Sequence, residues 1–154
     1  MQDDRPPTGT HTVIGVTADD DRFNTTRRAA MSLAKDEGAE LILYDWDAAS
    51  KFGNPLPSVW SAEGTDEDVP DRLHEQELEA AGRDAIARQV SEARAEGLDA
   101  SAWLPSEHGP KALVQYARDH NAVGVVVPEE LRDVADGSAK EAEDVGAPLR
   151  VVVA

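Results

Sequence analysis

Five short runs rich in β-branched and aliphatic residues punctuate this chain, and every gap between consecutive runs holds a segment with helical spacing. The runs are Thr12-Val13-Ile14-Gly15-Val16, Leu41-Ile42-Leu43-Tyr44, the alternating Leu98 to Leu104, Val123-Gly124-Val125-Val126-Val127, and Leu149 to Val153. Near-continuous apolar runs of this length suit strands buried on both faces. Strands that alternate with helices must be joined by crossovers, which makes neighbouring strands parallel and places helices on both faces. The predicted fold class is α/β: a doubly wound, Rossmann-like parallel sheet.

The helical segments carry their own start and stop signals. From Asn24 to Glu37, Ala30, Leu33 and Ala34 share one face, Asp19, Asp20 and Asp21 precede the segment as cap candidates, and Gly38 follows it. A single long helix is predicted over Leu73 to Glu96, with Leu78, Ala81, Ala85, Ile86, Val90 and Ala93 as its apolar stripe. The pairs Glu79/Arg83, Asp84/Arg88 and Arg88/Glu92 are expected on its outer face. Gly97 ends it, and Leu98, Ala100, Ala102 and Leu104 then alternate as a strand well covered on one face only. Pro110 or Lys111 opens a further helix that Asn121 closes. A last helix is predicted from Ser138 to Val145, after a loop, with Gly146 and Pro148 as its stop.

Between the second run and the long helix, residues Asp47 to Arg72 lack periodicity and carry Gly53, Pro55, Pro57, Gly64 and Pro70. They read as a long acidic surface loop within one domain, in which Trp60 alone argues for docking. The organisation expected is a flexible tail over residues 1–11 and a single domain over residues 12–154. A chain of 154 residues suffices for a core of its own.

Composition removes several classes of function. There is no cysteine, so disulfides, thiolate catalysis and thiolate-ligated zinc are excluded. Acids outnumber bases by 31 to 15, for a net charge of −16, which repels nucleic acid and anionic lipid. No apolar run approaches the roughly 20 residues of a membrane span, and Met1 to Thr10 has no signal-peptide core, so a cytoplasmic location is expected. His11, His74, His108 and His120 show no metal-ligand spacing, and Asp19 to Asp21 read more economically as caps than as a cation site. Ser106-Glu107-His108 are adjacent residues rather than a triad, and no Gly-x-Ser-x-Gly elbow is present. No catalytic residue and no metal ligand is assigned, and an enzyme is not expected.

Taken in order, three segments resemble the universal stress protein family. "LAKDEGAELILYDW" (Leu33 to Trp46) is similar to that family's first helix end and second strand. "ARAEGLDASAWLPSEHGPKALVQYARDHNAVGVVV" (Ala93 to Val127) is similar to its third strand, third helix and fourth strand. "GSAKEAEDVGAPLRVVVA" (Gly137 to Ala154) resembles its last helix and closing strand. The resemblance implies a five-stranded parallel sheet of the universal stress protein type and a homodimer formed through the last strand, Leu149 to Val153.

The family contains members that bind ATP and members that do not. The binders end the first strand with an aspartate, where this chain has Thr17, and follow the fourth with a loop of pattern Gly-x2-Gly-x9-Gly-Ser/Thr. Here Pro128 stands in place of the first glycine, the second is missing, and only Gly137-Ser138 remains, nine residues after Pro128. Cradling phosphates takes successive N–H groups at close approach, which glycine permits and proline forbids. Seven acids against two bases between Glu129 and Asp144 also oppose a triphosphate. Gly137 and Ser138 are read first as a turn glycine and a helix cap. No cofactor is therefore expected; were ATP held, its contacts would be Thr17, Gly137 and Ser138. The expected role is a non-catalytic stress-response module, homodimeric, with an unidentified protein partner. A nucleotide or small-ligand sensor with a rearranged pocket at the ends of the first and fourth strands remains the alternative.

Overall fold

A computed structural model describes residues 11–48, 72–105, 107 and 109–154. Residues 1–10 of the expected tail, most of the acidic loop with Trp60, and Ser106 and His108 lie outside the described residues. Strand β1 (Thr12–Thr17) leads into helix α1 (Asn24–Glu37) and strand β2 (Glu40–Asp45). Helices α2 (Glu75–Ala80) and α3 (Asp84–Ala95) precede β3 (Ala100–Trp103); α4 (Pro110–Asp119) precedes β4 (Ala122–Val127). One 3-10 turn (Glu129–Leu131) then runs into α5 (Arg132–Val145), and β5 (Arg150–Val153) closes the chain.

The strands form one five-stranded sheet in the order β3-β2-β1-β4-β5, and every pair is parallel. The doubly wound α/β expectation is met. Side-chain alternation divides the core in two. Val13, Leu41, Leu43, Ala100, Ala102 and Val126 face α1 and α3, where Ala30, Met31, Ala34, Ile86, Val90 and Ala93 pack on them. Ile14, Val16, Ile42, Tyr44, Val125 and Val127 face α4 and α5, meeting Leu113, Tyr116, Ala117 and Ala135.

Three local expectations are corrected. The long helix over Leu73 to Glu96 is two helices. Gly82 adopts φ 78°, a left-handed conformation that ends α2, and α3 restarts at Asp84. Leu73 is not helical: its N–H donates to Ala102 O at 2.6 Å and its carbonyl accepts from Ala102 N at 2.9 Å, an antiparallel bridge on the β3 edge. The apolar stripe spans this break because α2 and α3 bury the same side, so periodicity alone conceals it. The outer-face pairing also changes, since Arg83 turns inward to Asp45 and Glu92 meets Arg27 of α1 at 3.2 Å.

The second correction concerns the last helix, which begins at Arg132 rather than Ser138. Gly137 and Ser138 are therefore helix-interior residues, neither turn nor cap. Pro128 can neither donate to a ladder nor continue an α-helix behind it, yet it starts a turn well, and Leu131 N–H closes back onto Pro128 O at 2.9 Å. Glu129, Glu130 and Asp133 then sit where the helix dipole favours acids. A glycine is required inside α5 for packing: a Cβ on Gly137 would lie 2.7 Å from Pro110 Cγ of α4.

Third, the aspartates after β1 do not cap α1, whose N-cap position is Phe23 with no side-chain bond. Asp19 Oδ1 instead accepts from the N–H groups of Ala85 (3.0 Å) and Ile86 (3.2 Å), capping α3 across the fold.

Candidate functional site

In an open α/β sheet, ligands bind beyond the carboxyl ends of the strands where the strand order reverses. Here that point lies between β1 and β4. Thr17 ends β1, buried, and its hydroxyl donates to Gln89 Oε1 of α3 at 2.6 Å. The Gln89 amide in turn donates to the carbonyls of Ala18 (3.2 Å) and Asp20 (3.0 Å). One carboxamide thus satisfies three polar groups of the β1–α1 connection. Left unpaired, the buried Thr17 hydroxyl and Ala18 carbonyl would cost about 1–3 kcal/mol each.

Beside this network, Asp45 ends β2 fully buried. Arg83 Nε donates to Asp45 Oδ2 at 2.8 Å, a second contact joins Arg83 Nη2 to the same carboxylate, and the Asp47 N–H donates to Asp45 Oδ1 at 3.0 Å. Asp19 lies 3.9 Å from the Arg83 guanidinium. Burial pushes the Asp45 carboxyl up to about 6, against the opposing pull of Arg83 and the Asp47 amide. The strand-end crevice on the β1–β2 side is therefore filled by the chain's own side chains.

What stays open is a cleft of about 760 Å³ on the β1–β4–β5 side, lined by Arg22, Thr25, Thr26, Glu129, Glu130 and Ala154. Thr26 Oγ1 donates to Ala154 O at 2.8 Å, and Ala154 N–H donates to Val127 O at 2.9 Å, which ties α1 and the end of β5 to β4. Its cation, Arg22, is already bonded to Asp20 and Asp47. Glu129 and Glu130 stand exposed at the β4 end, where a phosphate cradle would need N–H groups free of neighbouring negative charge.

The three residues named for a bound nucleotide are not brought together. Thr17 meets α3 on one face of the sheet, while Gly137 packs on Pro110 of α4 on the other. Ser138 is fully buried, and its Oγ finds no hydrogen-bond partner among the described residues. Gln89 and Arg83, the residues that organise the strand ends, were missed by sequence reading. Their signals were a glutamine beside the Ile86, Val90, Ala93 stripe and an arginine directly after a helix-breaking glycine. Among the described residues no group of three or more His, Asp or Glu could hold a metal ion. No helix among them is long and apolar enough to cross a membrane.

No protein-family profile and no curated protein sequence matches this chain. Its fold does match solved structures. A universal stress protein from Archaeoglobus fulgidus, solved in complex with dAMP, is 18% identical with a TM-score of 0.56, covering 94% of this chain and 96% of its own. A second structure of a universal stress protein from that organism gives 17% identity and a TM-score of 0.54, covering 93% and 92%. A universal stress protein in complex with cAMP is 20% identical with a TM-score of 0.50, covering 94% and 95%. The chain shares the universal stress protein fold over nearly its whole length.

Proposed function

We propose that this chain is a non-catalytic, universal stress protein-like regulatory module that assembles as a homodimer and does not use ATP. The observation that carries the ATP part is the turn after β4. Pro128 begins it, Glu129 and Glu130 line it, and it passes directly into α5 without a glycine. A triphosphate there would meet two carboxylates and no uncommitted cation among the lining residues. Titration calorimetry with ATP and magnesium at physiological salt is expected to give no saturable heat in the micromolar range. Saturable micromolar binding would overturn this part of the reading.

The assembly part rests on the two edges of the sheet. The β3 edge is bridged at Ala102 by Leu73, whereas β5 carries Val151, Val152 and Val153 half-buried at the other edge. An unpaired edge of this composition is a template for another strand, and a two-fold pairing of β5 with its copy satisfies both edges and closes. Light scattering at tens of micromolar is expected to give the dimer mass. Val152→Pro is expected to shift it to the monomer if that N–H faces the partner. A wild-type monomer would end the dimer reading.

A nucleotide sensor is the second reading, favoured by two neighbours solved with dAMP and cAMP and by the open cleft beside Thr25 and Thr26. A monophosphate carries less charge into that acidic cleft than a triphosphate does. Titrating dAMP and cAMP beside ATP separates the readings: saturable binding of a monophosphate alone selects the sensor.

A further inference from the structure

A second groove, of about 470 Å³, opens between the end of β3 and α4, away from the strand-end cleft. Its wall is aromatic because of register: Tyr44 of β2 pairs with Trp103 of β3, so the two rings stand side by side on one face. Tyr116 of α4 lies parallel to Trp103, with centroids 5.9 Å apart and planes 7° apart, and meets Tyr44 edge-on at 5.5 Å. Tyr44 and Tyr116 are buried, whereas Trp103, on the edge strand, keeps part of its surface open. The rim carries Glu107, Asp119 and Glu141 against one ammonium, Lys111.

We propose that this groove binds a small organic cation, with a quaternary ammonium or guanidinium head on the open surface of Trp103 and the carboxylates of Glu107, Asp119 and Glu141 as counter-charge. Indole attracts cations more strongly than the other aromatic rings. The excess of carboxylates sets the sign of the ligand, since an anion would meet both the local rim and the net charge of −16. A neutral ring could stack on Trp103 but would leave the acidic rim unused. Burial, with the Glu107 charge adding to it, raises the Tyr44 phenol well above its ordinary value. This inference is independent of whether the strand-end cleft holds a nucleotide.

The test is a titration of the whole chain with tetramethylammonium chloride, read by the indole N–H resonance of Trp103, with sodium chloride at matched ionic strength as the control. A saturable shift in the millimolar range is expected with tetramethylammonium only. Glu107→Gln combined with Glu141→Gln is expected to weaken it roughly three- to tenfold, and Lys111→Gln to tighten it. A shift that is linear, that sodium chloride reproduces, or that the Glu107 and Glu141 replacements leave unchanged would overturn the proposal. So would saturable binding of acetate instead. If the double variant perturbs amides beyond the groove, competition by salt against the wild type decides: affinity that does not fall with added sodium chloride overturns the proposal.

Discussion

Thr17 and Gln89, 72 residues apart in the chain, are joined by a 2.6 Å hydrogen bond that anchors α3 to the end of β1. Because the same carboxamide donates to Ala18 O and Asp20 O, Gln89 holds the β1–α1 connection against α3. Replacing it with leucine keeps the volume and removes every one of these bonds. Gln89→Leu is expected to cost about 2–4 kcal/mol in urea unfolding. A loss below about 1 kcal/mol would show that water replaces the amide without penalty.

Asp45 and Arg83 give the fold a pH dependence of definite sign. Burial holds the Asp45 carboxyl at about 6 in the folded protein, against about 3.9 for an ordinary aspartate. Between these values the folded state holds more protons than the unfolded state, so stability falls as pH rises through that window. The contribution, on the order of 2–3 kcal/mol, is fully present below about pH 4 and gone above about pH 6. Asp45→Asn is expected to remove this slope from a stability profile measured between pH 4 and pH 7. An unchanged slope would assign it to other groups.

Removing the cation of that pair tests the burial directly. Arg83→Met leaves the Asp45 carboxylate buried and short of its counter-charge, at a cost of about 3–5 kcal/mol at neutral pH. Protonating Asp45 relieves the penalty, so the variant is expected to approach the wild type on acidification to pH 5. A deficit independent of pH would point to lost packing of the Arg83 stem instead.

Gly137 is a packing glycine. A Cβ there lies 2.7 Å from Cγ and 3.1 Å from Cβ of Pro110, and a proline ring has little freedom to withdraw. Gly137→Val is expected to destabilise the protein by about 1–3 kcal/mol through separation of α4 from α5, despite valine's better helix propensity. Thermal unfolding measures it. A stabilised variant would place the residue in open space.

Ser138 makes the opposite case. Its hydroxyl is buried without a partner among the described residues, and alanine is both smaller in polarity and the better helix former. Ser138→Ala is expected to stabilise by about 0.5–1.5 kcal/mol. A loss of stability would show that the hydroxyl has a bond that matters.

The layered α/β architecture was legible in the sequence because it depends on local pattern: apolar runs that alternate with helical stripes leave parallel crossovers as the economical solution. A break in regular structure at Pro128 was legible for the same reason, since backbone permission is a property of the residue itself, and the chain does turn there. Partnership between distant polar groups was not legible. A stripe reports which side of a helix is buried, so it ran unbroken from α2 into α3 and hid the turn at Gly82. Arg83 had an obvious local partner in Glu79, yet it turns inward because the buried Asp45 carboxylate stands within 2.8 Å of its Nε. Gly137 looked like a loop residue until the ring of Pro110 was placed against it. Local stereochemistry thus determined the elements. The tertiary structure decided which polar side chains meet, because a buried charge or amide is satisfied only by what the fold brings within bonding distance.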